Sequence, residues 1–268
     1  MRYSNSQALI SAGNASKRAL ILFTSDPGKE AFRKNVGKNC SQNREIYRAF
    51  LRHTLGIATA AQEQGDFDII IASEGKDLPG IEEVCGASPE TKPLILLEQR
   101  GNCFDSRFKH TLNAVFEMGY QEVVIIGNDC PDITPQILQT AFDNLSRGET
   151  VVGPAKDGGF YLLGITEYNP ALFVRISWGS ASVFQQVCRN ISALQQSRYL
   201  LPCLGDIDSY RDLIAWLCSP CTNWANRLFR MLVSLMIIRF TPAFHQPPFL
   251  AGFHRNKRIW QLPPPLPV

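Results

Sequence analysis

The sequence has no unbroken apolar run of 18 residues, and its first residues lack the continuous apolar stretch that a signal peptide requires. A membrane-spanning helix and a secretion signal are therefore not expected, and we expect the protein in the cytoplasm. A strong charge of either sign is also missing, since Lys and Arg outnumber Asp and Glu by only 27 to 24. So small an excess gives no case for nucleic acid or an anionic membrane as the main partner.

The eight cysteines do not form the pattern of a disulfide framework. They are scattered and mostly lie in apolar runs, which is typical of reduced core thiols in a cytosolic protein. Cys218 and Cys221 form the one C-x-x-C, and no second pair stands at a distance that would complete a four-ligand zinc site. The motifs G-x-x-x-x-G-K-[ST] and G-x-G-x-x-G are absent as well, which excludes a P-loop and the usual dinucleotide-binding fingerprint.

What the sequence does contain is an alternation of short apolar β-rich runs with longer helical patterns. Strands are predicted at 19–24, 67–72, 94–97, 123–126, 150–154, 160–165 and 198–203, and helices at 43–64, 104–118, 134–145, 182–196 and 209–217. Strands this apolar are buried on both faces, which predicts an α/β fold with a mostly parallel central sheet between helices. We assign residues 19–218 to this domain and residues 1–18 to an N-terminal extension.

The remaining residues, 219–268, differ in character. An apolar-basic stretch at 223–240 precedes a proline-rich tail. The pattern favours a helix docked on the core, followed by a tail without regular structure. The alternative is a helix lying on a membrane surface, because Arg227, Arg230 and Arg239 flank the apolar run MLVSLMII. We expect the docked helix, and membrane contact is not expected.

Acidic residues stand where predicted strands end. Asp129 follows the apolar run VVII by two residues, and Asp132 comes three residues later. Ligands of parallel sheets bind beyond the carboxyl ends of the strands, and a carboxylate there suits Mg²⁺ or Mn²⁺. Asp132 is either a second ligand or folds back onto the next helix, which Thr134 would cap and Pro135 would begin. The simplest alternative for both acids is a turn or cap residue.

Two further segments carry acids. Asp157 and Gly158 between β-rich runs predict a hairpin turn, while Gly158 and Gly159 also leave room for a close-fitting ligand. Asp206 and Asp208 lie just before a helix. Asp208 or the serine after it caps that helix, or the two acids complete a divalent-metal site.

Cations follow the first predicted strand. Gly28 and Lys29 form a glycine loop there, and Arg33 and Lys34 come soon after. Such a loop suits a phosphate-bearing ligand.

Together, the segments GNDCPDITPQILQTAF, VVGPAKDGGFYLLGI, ISWGSASVF and GDIDSYRDL resemble one protein family in their order and spacing. They are similar to the bacterial GT-A-like transferases of the nucleotide-diphospho-sugar transferase superfamily. More narrowly, they resemble those labelled arsenosugar-biosynthesis or selenodomain-associated glycosyltransferases. The resemblance covers about residues 19–217. It implies a Rossmann-like GT-A fold that binds a nucleotide diphosphate through a divalent cation.

The resemblance also implies roles for particular residues. Asp129 would be the metal-binding acid, with Asp132 close by, and Asp208 would stand at the second acidic position, with Asp206 beside it. Asp157 and the glycines after it, Gly158 and Gly159, would line the acceptor side. Gly28, Lys29 and Arg33 would approach the nucleotide phosphates.

The activity implied is metal-dependent transfer of a sugar from a nucleotide-sugar donor to a small-molecule acceptor. Asp157 is the candidate for taking the acceptor's proton. Two alternatives remain open: nucleotidyl transfer with release of pyrophosphate, and a non-catalytic nucleotide-binding module. The sequence departs from the family pattern at Ala31, where a lysine is usual, and at Asp105, where the acid of the Q-G-x-D-L-G-x-R segment is displaced.

Overall fold

A computed structural model describes residues 17–25, 34, 36–37, 39–74, 94–221 and 223–239 of the chain. Gly28, Lys29 and Arg33 lie outside these residues, as do nearly all of residues 1–18 and the proline-rich tail beyond residue 239. The predictions made for those parts of the sequence therefore stay predictions.

The apolar runs form seven strands and the amphipathic runs form six α-helices within the described residues. The strands are β1 (Arg18–Thr24), β2 (Asp68–Ser73), β3 (Ile95–Glu98), β4 (Glu122–Ile126), β5 (Thr150–Pro154), β6 (Phe160–Ile165) and β7 (Arg198–Leu200). The helices are α1 (Cys40–Gln62), α2 (Phe104–Glu117), α3 (Pro135–Leu145), α4 (Val183–Ala193), α5 (Tyr210–Cys218) and α6 (Trp224–Arg239). Every predicted element is present, and among the described residues a short 3₁₀ helix at Pro170–Phe173 was not predicted.

Most boundaries agree with the predictions to within three residues. The start of α3 shows why, because two local signals mark it. Thr134 caps α3, since its hydroxyl accepts the backbone N–H of Ile137, and Pro135 is the first helical residue. Strand β7 ends at Leu200 and not at residue 203 as predicted. Pro202 has no N–H to donate to a ladder, so the pairing with β5 becomes irregular before resuming at an isolated bridge to Leu204.

The seven strands form one sheet in the order β3-β2-β1-β4-β6-β5-β7. Strand β1 pairs in parallel with both β2 and β4, whereas β6 is antiparallel to both of its neighbours. The prediction of a mostly parallel sheet is therefore confirmed. The chain leaves β1 toward β2 on one side and returns to β4 on the other, which makes the carboxyl ends of β1 and β4 a topological switch point, where ligands of such sheets bind.

Both faces of the sheet are buried, as the continuous apolar runs require. Leu20 and Leu22 of β1 pack on the side covered by α1 and α3, and Ala19 and Ile21 pack on the side covered by α2 and α4. Because successive side chains of a strand point to opposite faces, one uninterrupted apolar run fills both layers.

Helix α6 docks on α1 and α5. Phe229 of α6 lies parallel to the ring of His53 at 3.9 Å and also contacts Phe50 and Trp216. This confirms the expectation of a docked helix over that part of the C-terminal segment. Among the described helices none combines the length and hydropathy needed to cross a membrane.

The expectation of core thiols is wrong for most cysteines. Of the seven described, Cys130 is the buried one, and Cys40, Cys103, Cys203 and Cys218 are exposed. All seven are free thiols. Apolar neighbours in the sequence did not imply burial, because several of these positions fall at helix ends or in connections.

Candidate functional site

Charged side chains from separate strand ends meet at the switch point. Lys34, which follows β1, places its Nζ 2.6 Å from Oδ2 of Asp129 and 2.5 Å from Oδ1 of Asp208. Asp129 follows β4, and Asp208 comes from the connection between β7 and α5. One ammonium group therefore bridges two acids that are far apart in the sequence.

Local packing holds Asp129 in this position. A Cβ at Gly127 would lie 2.8 Å from Oδ1 of Asp129, so a side chain there would displace the carboxylate. The neighbouring Cys130 is buried, and burial raises the pKa of its thiol well above the usual range, which fits a packing role and not that of a nucleophile. The carbonyl oxygen of Asp129 accepts the N–H of Ile207 at 2.9 Å, which ties the acidic segment before α5 to the end of β4.

Asp157 lies in the turn of the β5–β6 hairpin, as the Asp-Gly signal predicted. The Gly159 N–H donates to Oδ1 of Asp157 at 2.7 Å, which fixes the carboxylate. Gly158 has φ +93° and would place a Cβ against the backbone of Ala181. Backbone geometry therefore accounts for Gly158 without a ligand, and the role of both glycines in ligand binding stays a prediction.

Asp206 and Asp208 lie close to Asp157 because their segment runs beside the β5–β6 hairpin. The Lys156 N–H donates to the carbonyl of Leu204 at 2.9 Å, next to the bridge between Leu204 and Ala155. The cap of α5 is Ser209, whose hydroxyl accepts the N–H of Asp212. Asp208 is thus not the cap of the helix, and its carboxylate is directed to Lys34.

Three of these acids form a tight cluster. One carboxylate oxygen from each of Asp157, Asp206 and Asp208 lies within 4.8 Å of the others. Burial, followed by the charge of Asp157 and weaker effects of Asp208 and Asp129, raises the pKa of Asp206 to about 7. Of the three acids, Asp208 is the one that pairs with Lys34 in the described contacts.

The pKa values of Lys34 and Asp129 are shifted in the directions that keep both groups charged. Burial alone would raise the pKa of the Asp129 carboxyl, but the charge and hydrogen bond of Lys34 outweigh it and leave this pKa below the usual range. Burial would likewise lower the pKa of Lys34, yet Asp129 and Asp208 outweigh it and raise this pKa. Both groups are therefore ionised at neutral pH.

Asp132 lies apart from this cluster, although it is only three residues from Asp129. Its Oδ1 accepts Nε1 of Trp216 at 2.9 Å, Nδ2 of Asn226 at 3.4 Å and a guanidinium nitrogen of Arg230 at 3.3 Å. The carboxylate thus links the connection between β4 and α3 to α5 and α6. Its assignment as a metal ligand stays a prediction.

The acidic cluster lines one part of an open cleft of about 510 Å³, a volume typical of small-molecule sites. Aromatic rings line another part, namely Phe23, Phe104, Phe160 and Trp178. The ring of Trp178 is oriented by its Nε1, which donates to Oδ1 of Asp105 at 2.6 Å. The sequence left open whether Trp178 faces a ligand or packs in the core; the structure shows it half-buried at the cleft wall.

Sequence reasoning missed two features of the site. Lys34 was noted only as one of several cations, and nothing in its spacing from β1 distinguishes it from Lys29 or Arg33. The aromatic wall was missed because Phe23, Phe104 and Phe160 have the pattern of ordinary core residues of two strands and a helix.

The sheet order, the switch point and the acid-lined cleft define a protein with the nucleotide-diphospho-sugar transferase fold, as the resemblance implied. Residues 57–180 match the family model described as "Uncharacterized protein conserved in bacteria (DUF2064)". The crystal structure of a protein from Desulfovibrio desulfuricans G20, provisionally described as a nucleotide-diphospho-sugar transferase, has a TM-score of 0.70 and 24% identity to this chain. The alignment covers 84% of this chain and 98% of that one, which confirms the fold.

More distant similarity extends to two other structures. Rv0371c of Mycobacterium tuberculosis H37Rv, solved in complex with manganese, has a TM-score of 0.44 and 14% identity over 75% of this chain and 98% of its own. A 4-diphosphocytidyl-2C-methyl-D-erythritol synthase from Anaerococcus prevotii DSM 20548 has a TM-score of 0.48 and 9% identity over 81% of this chain and 96% of its own. No curated protein is significantly similar to the chain in sequence.

Proposed function

We propose that the protein is a metal-dependent glycosyltransferase that uses a nucleotide-sugar donor and a small-molecule acceptor. One observation carries the proposal: Lys34, Asp129, Asp157, Asp206 and Asp208 come from separate strand ends and converge in one ligand-sized cleft. The cleft lies at the switch point of a nucleotide-diphospho-sugar transferase fold, where ligands bind.

The acidic cluster fits a divalent cation. Asp157, Asp206 and Asp208 offer hard oxygen ligands at mutual distances that one ion can span. The raised pKa of Asp206 comes first from burial and then from the charges of the neighbouring acids, above all Asp157, and a cation would relieve that repulsion. Bound Mg²⁺ or Mn²⁺ supplies Lewis-acid neutralisation of charge on a diphosphate leaving group. In this arrangement Asp208 is a metal ligand, as proposed from the sequence. Asp129 acts indirectly, because it holds Lys34 in place.

Lys34 places a fixed positive charge beside the cluster. A half-buried ammonium that two carboxylates hold in place needs no reorganisation when negative charge develops on a departing diphosphate. Lys34 thus supplies the positive charge near the phosphates that the sequence predicted for Lys29 and Arg33. Those two residues can add further positive charge. In the transfer the bond from the anomeric carbon to the diphosphate breaks, a bond to the acceptor oxygen forms, and the acceptor's proton passes to a carboxylate.

Asp157 is our candidate for that carboxylate, and it is also within the acidic cluster. The two roles differ in their consequences. If Asp157 accepts the proton, Asp157→Asn retains binding of metal and nucleoside diphosphate and loses turnover. If Asp157 is mainly a ligand, the same substitution weakens metal binding as strongly as Asp208→Asn does.

Nucleotidyl transfer is the second candidate, and Lys34 is the observation that favours it. Nucleotidyltransferases usually carry a glycine-rich, Lys/Arg-containing loop right after the first strand, and Lys34, further along the chain after β1, lies against the acids. There it would stabilise the α-phosphate during attack by a phosphorylated acceptor, with pyrophosphate as the leaving group.

Calorimetry and product analysis test the proposal together. We expect nucleoside diphosphates to bind in the presence of Mn²⁺, and Asp208→Asn to weaken that binding at least about tenfold. Asp143→Asn, an exposed acid on α3, is the matched control and should bind normally. Incubation with nucleotide sugars and with nucleoside triphosphates then separates the reactions, because only nucleotidyl transfer yields pyrophosphate. Metal-dependent binding without turnover of any donor would favour the non-catalytic module, and absence of binding would refute all three.

A further inference from the structure

Helix α6 carries a continuous apolar stripe on its outer face. Leu228, Met231, Leu232, Leu235 and Ile238 are each between 47% and 66% exposed. Their spacing of three and four residues places them along one side of the helix. The stripe extends over about 15 Å at the rise of an α-helix. Contiguous exposed apolar surface of this kind marks an interaction site more often than scattered residues do.

The inner face of α6 is fully engaged, so the helix cannot roll to bury the stripe. Phe229 and Val233 pack into the cluster formed with α1 and α5. Arg230 donates to the carbonyl of Ser219 at 2.6 Å and pairs with Asp132 at 3.3 Å. The helix is therefore held in one orientation, with the apolar stripe outward.

The sequence that contains the stripe is basic. After Asp212 it has no Asp or Glu, but it contains Arg227, Arg239, Arg255, Lys257 and Arg258, besides Arg230, which faces inward to Asp132. Arg227 is exposed and directly precedes the first stripe residue, Leu228. An apolar stripe with a basic, acid-free flank is the pattern of a helix that lies on an anionic lipid surface.

We propose that the stripe of α6 docks on an anionic lipid surface, with the helix axis in the plane of the headgroups. A second copy of the chain fits less well, because stripe-to-stripe packing would bring like charges together. The residues after 239 fit less well for the same reason, since they add basic residues and no acid. Nucleic acid would use the basic residues but would leave five apolar side chains without a partner.

Vesicle co-sedimentation of the full chain tests this proposal independently of any activity. We expect binding to vesicles of phosphatidylcholine mixed with phosphatidylglycerol, little binding to phosphatidylcholine alone, and weakening by salt. The double substitution Met231→Gln and Leu235→Gln should weaken binding by at least about tenfold, because both side chains lie exposed in the stripe. Val174→Gln, an exposed apolar residue outside α6, is the matched control and should bind as the wild type does.

Three results would overturn the proposal. The first is no binding of the wild type to the mixed vesicles, and the second is equal binding by the double variant. The third is a wild type that self-associates in light scattering while the double variant is monomeric, which would assign the stripe to a second copy. Because both substituted side chains are exposed, circular dichroism should show the wild-type fold in every variant.

Discussion

The strongest quantitative prediction concerns Asp132, which the sequence alone suggests as a metal ligand. Its Oδ1 is the acceptor for Trp216, Asn226 and Arg230. Arg230 is only 8% exposed and its guanidinium also lies 4.7 Å from the centre of the Trp216 ring. The substitution Asp132→Ala would therefore leave a nearly buried cation without its carboxylate.

Breaking a fully buried ion pair from one side costs about 3–5 kcal/mol. Here the cost is smaller, because the Asp132 side chain is 30% exposed and Arg230 keeps its bond to Ser219. We expect Asp132→Ala to lower the free energy of unfolding by about 2–3 kcal/mol, a fall of very roughly 4–12 °C in Tm. Asp132→Asn keeps an acceptor oxygen and should cost about half as much.

Urea unfolding followed by circular dichroism measures the effect, and calorimetry with Mn²⁺ accompanies it. The exposed Asp143→Ala is the control and should change stability by less than about 0.5 kcal/mol. In a double-mutant cycle, Asp132→Ala and Arg230→Met together should cost less than the sum of the two single changes. A variant that keeps wild-type stability but loses metal affinity would refute this reasoning and restore Asp132 as a ligand.

Two further predictions concern stability. Gly158→Ala should lower the free energy of unfolding by more than about 2 kcal/mol, because φ is +93° and the new Cβ would meet Ala181. Gly119→Ala is the control, since Gly119 has φ +96° but open space around it. It should cost only about 1 kcal/mol in the same urea titration. Burial lowers the pKa of His53 from 6.5 despite its bond to the Pro131 carbonyl and the charge of Asp132, so the unfolded chain takes up a proton that the native state does not. The His53 contribution should therefore lower stability as the pH falls below about 7, while protonation of Asp206, whose pKa is raised to about 7, acts in the opposite sense. The stability of His53→Gln relative to the wild type should therefore rise as the pH falls through this range; parallel curves would contradict this.

Much of the fold could be predicted because its determinants are local. The apolar runs at Ala19–Thr24 and Val123–Ile126 fill both faces of the sheet within a single strand, so their burial is visible in the sequence. Thr134 and Pro135 mark the start of α3, and the Asp-Gly pair at 157–158 marks the hairpin, because caps and turns depend on a few adjacent residues.

The site could be predicted only in part, because it depends on contacts across the chain. Asp129 and Asp132 look equivalent as strand-end acids, yet Asp132 is paired with Arg230, 98 positions away. Asp206 and Asp208 reach the hairpin because their segment pairs with it around Ala155 and Leu204. No local sequence pattern predicts which side of a turn a carboxylate will face.

The charge balance of the cleft has a consequence for the order of binding. Its described charged lining consists of four carboxylates, from Asp129, Asp157, Asp206 and Asp208, and the one ammonium of Lys34. Lys34 is already bound to two of them, so the cleft is negative overall and repels an anion. A nucleoside diphosphate alone should therefore bind poorly, and a divalent cation should have to enter before it or with it. Because that requirement follows from the fixed acids and not from the identity of the nucleotide, it should hold for every nucleoside diphosphate that fits the cleft.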